Sequence, residues 1–316
     1  MPNWTADGLE TGRGRALATQ ADLDFTYSLI DKLFRLSLGE MADFSGAKFD
    51  GDFSLTLEQA QRAKHEFIAR EVGLAAGSRV IDLGCGWGPF LNFARGRGAR
   101  GVGLTLSRGQ YEACRRNGLD VHLMDCRSVP RSAFGGFDAA VSLGAFEHFA
   151  SPEDFRAGRQ EAVYEGFFRS VADLLPPSGR LFLQTMVFGR RMIPAERIDI
   201  NAPAGSDERI VGLLQAQFPG SWLPSGREQL ERTAAPVFRL VAAESGRLDY
   251  IETIRRWRRR FAAFSVPKLL VKLSLAPRYL FSRAFRDAFA SGVSANSVCF
   301  ERELLDHWRL VFEKIS

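Results

Sequence analysis

Three glycines at alternate positions, Gly84, Gly86 and Gly88, follow the β-branched pair Val80-Ile81 and Asp82. No other stretch constrains the fold as much. A chain lacking Cβ atoms there turns tightly and lets a ligand touch its backbone. Pro89 fixes φ for the start of a helix that continues through Phe90, Leu91 and Phe93. Strand, glycine loop and helix form the layout of a nucleotide-type cofactor site, although a structural glycine turn has the same signature. Dinucleotide enzymes want G-x-G-x-x-G and an acid about 20 residues on. This chain has G-x-G-x-G, and its next strand, Gly101-Val-Gly-Leu104, runs into Thr105-Leu106-Ser107 without Asp or Glu. NAD therefore fits poorly.

From Arg79 the chain alternates between strand and helix patterns. Strands are expected at 79–83, 100–104, 121–124, 137–143 and 179–186, with helices around 89–95, 107–117 and 160–175. Such alternation implies an α/β fold, a mostly parallel sheet with helices on both faces. Ligands then bind beyond the carboxyl ends of the strands, where Asp82, Thr105, Asp125 and Glu147 fall. Strands near 237–243 and 307–314 complete the sheet. Upstream, Thr56 and Gln59 form a capping box for a helix reaching about Val72. Leu23, Tyr27, Ile30, Leu33 and Phe34 have helical spacing within 21–50. Residues 187–235, with Pro194, Pro203, Pro219 and Pro224, do not alternate and read as a helical cap over the site. The expected division is an extension and cofactor lid (1–72), a cofactor-binding core (73–186), the cap (187–235) and a C-terminal completion of the sheet (236–316).

With 46% apolar residues among 316, the chain can fill a core. Its 26 phenylalanines suit plain core packing or a greasy pocket. Cys85, Cys114, Cys126 and Cys299 make no C-x-x-C pair, which argues against a disulfide framework or zinc cluster and for a reduced, cytoplasmic setting. The N-terminus lacks signal-peptide features, and no apolar run is long enough to span a bilayer. A net charge of +5 permits an anionic partner. Between Glu252 and Arg286 lie Arg255, Arg256, Arg258, Arg259, Arg260, Lys268, Lys272, Arg278, Arg283 and Arg286, with Glu252 the lone acid. Trp257, Phe261 and Phe264 are spaced for one helical face, and Leu269, Leu270, Leu273 and Leu275 continue the pattern. This reads as peripheral contact with an anionic membrane at its inner face, or as a solvated face over ordinary core. No nucleic-acid recognition module accompanies the charge.

Asp82-Leu-Gly-Cys-Gly-Trp-Gly88 followed by Gly103-Leu-Thr-Leu-Ser-Arg-Gly-Gln110 resembles the cyclopropane fatty acid synthase and mycolic acid cyclopropane synthase family of S-adenosylmethionine methyltransferases. Leu57–Lys64, Met124–Arg127, Ser142–His148, Phe218–Ser225, and Tyr250 with Thr253 and Trp257 resemble further family motifs in the same order. The resemblance implies a Rossmann-like class I methyltransferase fold with a seven-stranded sheet. It implies S-adenosylmethionine bound by Phe44, Ser45, Asp82, Gly84, Cys85, Gly86, Trp87, Gly88, Thr105, Leu106, Ser107, Gln110, Asp125, Cys126 and Arg127. No metal is expected.

For the reaction, the resemblance points to Glu147, Tyr250 and Gln184. In the family a bicarbonate ion is held by a Cys, a Glu, a His, an Ile and a Tyr. The Glu and Tyr carry over to Glu147 and Tyr250, whereas the Cys, His and Ile fall on Gly46, Gln184 and Met186. These changes leave bicarbonate doubtful and tilt the reading toward methylation or methylenation of a lipid double bond rather than ring closure. A small-molecule methyltransferase acting on a prenyl diphosphate or amine is the alternative. A cofactor-binding accessory protein is the non-enzymatic one.

Overall fold

The computed structural model describes residues 36–39, 41–218, 220–281 and 296–315. Helix α1 (Leu57–Glu71) starts on the expected capping box, with Thr56 and Gln59 bonding each other's backbone N–H. Alternation then delivers β1 (Arg79–Leu83), α2 (Pro89–Gly96), β2 (Arg100–Thr105), α3 (Arg108–Arg116), β3 (Asp120–Leu123), β4 (Ala139–Leu143), α4 (Gln160–Leu174) and β5 (Arg180–Phe188). Beyond β5 come α5 (Asp207–Gln217), α6 (Arg227–Ala234), β6 (Phe238–Ser245), α7 (Arg247–Ala262), α8 (Val266–Phe281) and β7 (Leu305–Lys314).

The seven strands form one sheet in the order β3-β2-β1-β4-β5-β7-β6. All pairings among β1 to β5 are parallel, and β7 runs antiparallel between β5 and β6. Chain order reverses at β1 and β4, the switch point at which α/β sheets open a crevice. Period-2 alternation divides the strands between two cores. Ile81, Leu181, Leu183, Leu310 and Phe312 pack with α4 on one face. Val80, Val141, Phe182 and Val311 pack with Ile68 of α1 and Phe90 of α2 on the other. Phe146, Phe149, Phe167 and Phe168 meet ring to ring in the first core, so plain packing consumes much of the phenylalanine excess.

Three expectations need correction. Phe264 does not continue the face of Trp257 and Phe261, because α7 stops at Ala262 and Phe264 stands exposed in the connection to α8. Lys268 is not a free surface cation, since its ammonium donates to the carbonyls of Arg260 and Ala263 at the C-terminal end of α7. Arg255, Arg256 and Arg260 are likewise engaged, by Glu252 and Glu301, by Glu252, and by Glu58 respectively. The helical spacing from Leu23 to Phe34, and Pro219, Arg283 and Arg286, lie outside the described residues.

Candidate active site

Each glycine of the loop after β1 has a left-handed φ, but they serve different ends. A Cβ on Gly84 would stand 2.3 Å from the Ala145 Cβ, and one on Gly88 would stand 2.4 Å from Leu119 Cδ1. Both are glycines of close packing. A Cβ on Gly86 would meet nothing within 4 Å, so this backbone faces open space. Beside it Asp82 is buried, and its Oδ1 has no hydrogen-bond partner. Burial pushes its carboxyl up to about 8; Asp43 adds to the rise and Lys64 opposes it. The buried Trp87 Nε1 also lacks a partner. An orphaned acceptor and an orphaned donor each cost about 1–3 kcal/mol unless a ligand satisfies them.

The ends of β2 and β3 continue this edge. Thr105 Oγ1 donates to Gln110 Oε1 at 2.8 Å and accepts from the Ser107 N–H. Ser107 caps α3, and Leu106 projects into solvent. The Asp125 carboxylate accepts from the backbone and guanidinium of Arg127, which hold it below the usual carboxylate range. Burial pushes the Cys126 thiol up to about 12. The Cys85 thiol is raised by its hydrogen bond with Cys114 and by burial. Neither is a thiolate.

Residues 43–47 are tied to α1, α7 and β5 by Gln61, Thr253 and Gln184. Phe44 stacks on Trp257 at 5.0 Å. Ser45 donates to Asp43, and the buried Lys64 donates to Asp43, Ser45 and Gln61, each at 2.6 Å. His65 Nε2 lies 2.9 Å from the same Asp43 carboxylate. Sequence reasoning missed this cluster. Its signal was positional: Lys64 falls on the α1 stripe shared with Leu57, Ala60 and Ile68, where a cation needs a partner.

Glu147 enters through the turn after β4. It is buried, and its Oε1 accepts the Met186 N–H at 2.9 Å. Burial raises its carboxyl to about 7, against the lowering effect of that hydrogen bond. The cleft beside it is lined by Met186, Leu214, Phe218, Leu223 and Leu305 among others. Gln184 donates through Nε2 to the Gly46 carbonyl at 3.1 Å, leaving its buried Oε1 without a partner. Tyr250 is buried on α7, and burial with the charge of Glu147 raises its phenol well above the usual value. Its ring stacks on His307 of β7, centroids 4.6 Å apart and planes 5° from parallel. His307 was also missed, its one sequence signal being an imidazole inside a strand.

Residues 16–289 match the family model described as mycolic acid cyclopropane synthetase. The chain belongs to this family. Cyclopropane mycolic acid synthase 3 of Mycobacterium tuberculosis is 31% identical over 249 residues, 73% of this chain and 78% of that protein. The cyclopropane-fatty-acyl-phospholipid synthase of Escherichia coli is 30% identical over 294 residues, 91% of this chain and 66% of that protein. Among solved structures, mycolic acid cyclopropane synthase CmaA1 complexed with SAH and CTAB aligns at TM-score 0.71 and 25% identity, covering 91% of this chain and 95% of that one.

This member of the mycolic acid cyclopropane synthetase family is therefore an S-adenosylmethionine-dependent methyltransferase with a Rossmann-like fold. Its residues fit the cofactor: open backbone at Gly86, the unpaired Asp82 Oδ1 and the unpaired Trp87 Nε1 suit an amino-acid moiety. They do not fit bicarbonate. Gln184 turns its Nε2 toward the Gly46 carbonyl and leaves its buried Oε1, an acceptor that an anion repels, without a partner. A Cβ at position 46 would stand 2.6 Å from Tyr250 Cδ2 and 2.9 Å from His307 Cε1, so no cysteine side chain can occupy that space.

Proposed function

We propose that this enzyme methylates a carbon–carbon double bond of an unsaturated lipid acyl chain, giving a methyl-branched or methylenated product rather than a ring. The observation that carries this reading is a buried carboxyl, Glu147, lining a mainly apolar cleft. An alkene attacking an electrophilic methyl leaves positive charge on carbon, which Glu147 and the acceptor oxygen of Gln184 stabilise in a water-poor setting. The cofactor supplies the activated methyl. Asp82 receives its ammonium, the Gly86 backbone and Trp87 hold its carboxylate end, Thr105 and Gln110 flank its ribose, and Asp125 to Arg127 border its adenine. Cys85, Gly84 and Gly88 shape the loop, Leu106 and Ser107 close the adenine side, and Phe44 and Ser45 cover the site. Tyr250 faces the reacting carbons from α7. Among the described lining residues there is no Lys or Arg to meet a prenyl diphosphate, and burial holds the His148 imidazole well below its usual value, which favours the lipid reading. The test is mass spectrometry of total lipids from cells with and without the protein. The expected product gains one CH₂ unit as a methyl or methylene branch and keeps an alkene. A product gaining one CH₂ as a saturated ring would refute the assignment of product, and unchanged lipids the assignment of substrate.

Helix α8 supports a membrane surface as the substrate's location. Its Val266, Leu269, Leu270 and Leu273 are exposed, and Arg258 and Arg259 of α7 are exposed nearby in the chain. Apolar side chains interleaved with cations suit an anionic bilayer surface. No helix among the described residues is long and apolar enough to cross a membrane.

A further inference from the structure

Methyl transfer to an alkene is complete only when a proton leaves. The C–S bond of the sulfonium breaks, a C–C bond forms, and the neighbouring carbon is left cationic. A C–H bond next to that carbon must then break, its electron pair forming the new alkene, with the proton passing to a base. Glu147 is placed to stabilise the cation, and the bicarbonate ion that could take the proton does not fit.

Building on the lipid reading above, we propose that His307 is the base that takes this proton. Its imidazole sits in a slot made by two missing side chains. A Cβ on Gly46 would stand 2.9 and 3.2 Å from its Cε1 and Nε2, and one on Gly246 2.6 Å from its Nδ1. Tyr250 covers one face of the ring. His307 lies opposite Met186 in the β5–β7 register, and the Met186 N–H is held by Glu147. Leu305, on the same face of β7, lines the cleft, so His307 is the next inward-facing residue from the cleft wall. Its Nδ1 is buried without a hydrogen-bond partner, an arrangement that ordinary packing avoids.

The surroundings keep the ring neutral. Burial, Arg309 and Lys64 all hold it well below the usual imidazole value. Arg309 is itself anchored by Asp249, Glu244 and the Ala47 carbonyl, and Lys64 by Asp43. A weakly basic imidazole suffices, because a C–H bond beside a carbocation is a strong acid, and neutrality keeps the lone pair free.

The experiment uses the full chain, methyl-labelled S-adenosylmethionine and vesicles of dioleoylphosphatidylglycerol. His307→Ala and His307→Gln are compared with wild type for cofactor affinity, methyl incorporation and product identity. Cofactor affinity is expected to stay within about threefold, while formation of the alkene product falls about 100-fold in both variants. Added imidazole should restore product in His307→Ala, and the trapped cation should appear as an alcohol formed with water. Wild type should be indifferent to removal of dissolved bicarbonate. Wild-type turnover with unchanged product in either variant, or loss of wild-type turnover when bicarbonate is removed, overturns the proposal. The bicarbonate arm needs no variant to fold. No methylation by wild type would instead count against the lipid reading.

Discussion

Cofactor binding should be coupled to a proton at Asp82. With its carboxyl raised to about 8 by burial, about one molecule in ten carries the charged form at pH 7 in the free protein. The cofactor's ammonium needs that charged form. Ionising Asp82 costs about 1.4 kcal/mol at pH 7 and about 2.7 kcal/mol at pH 6. Affinity should therefore weaken about tenfold for each pH unit below 8, with one proton released per molecule bound. Calorimetry in buffers of different ionisation enthalpy, between pH 6 and 8, measures both quantities. Glu147 also titrates in this range, so Asp82→Asn, which keeps the shape and removes the charge, isolates the Asp82 contribution. A flat affinity profile, or the same slope in Asp82→Asn, would refute the reasoning. The sign for stability is opposite: the folded carboxyl holds its proton to higher pH than the unfolded one. The free protein should lose stability as pH rises from about 4 to about 8, and bound cofactor should suppress that loss.

Glu147→Gln should lower turnover by about 100-fold or more, roughly 3–4 kcal/mol, with cofactor affinity nearly unchanged, as read by single-turnover methyl transfer. Wild-type turnover should rise with pH through about 7 as Glu147 ionises. Gly84→Ala should destabilise the fold by about 2–4 kcal/mol in urea melts, through overlap with Ala145 and its positive φ, whereas Gly86→Ala should cost the fold about 1 kcal/mol and act mainly on cofactor affinity. Replacing Arg258 and Arg259 by Glu and Leu270 and Leu273 by Asp should abolish sedimentation with anionic vesicles, each cation contributing about 1 kcal/mol; unchanged sedimentation would return α7 and α8 to a solvated-face role.

What the sequence made legible was local. Glycine spacing, the capping box of α1 and β-branched runs announce themselves over short windows, and the strands from β1 to β5 stand within a few residues of their expected bounds. The glycine loop after β1 was readable for the same reason. Contacts between distant segments were not. Nothing near position 46 shows that its glycine answers an imidazole 261 positions later, or that Gly246 completes the slot. Nor does a count of cations in α7 reveal that Glu58 and Glu301 neutralise part of it from other elements. The family motifs marked Gly46 and Gln184 as departures, but only the packing shows that Tyr250 and His307 fill the space beside Gly46.

The antiparallel insertion of β7 has a consequence for the order in which the molecule comes into being. β5 and β6 both pair with β7 rather than with each other, so the strand synthesised last stands between two made earlier. Pairing across such sequence separations closes large loops and is slow. On the ribosome the segment from β1 to β5 can assemble its parallel pairs and glycine loop while β6 still has no neighbour. His307 and Arg309 arrive only with β7, and Arg309 is what ties the Ala47 carbonyl down. A nascent chain should thus be able to complete its β1–β5 edge before the side of the sheet that carries His307.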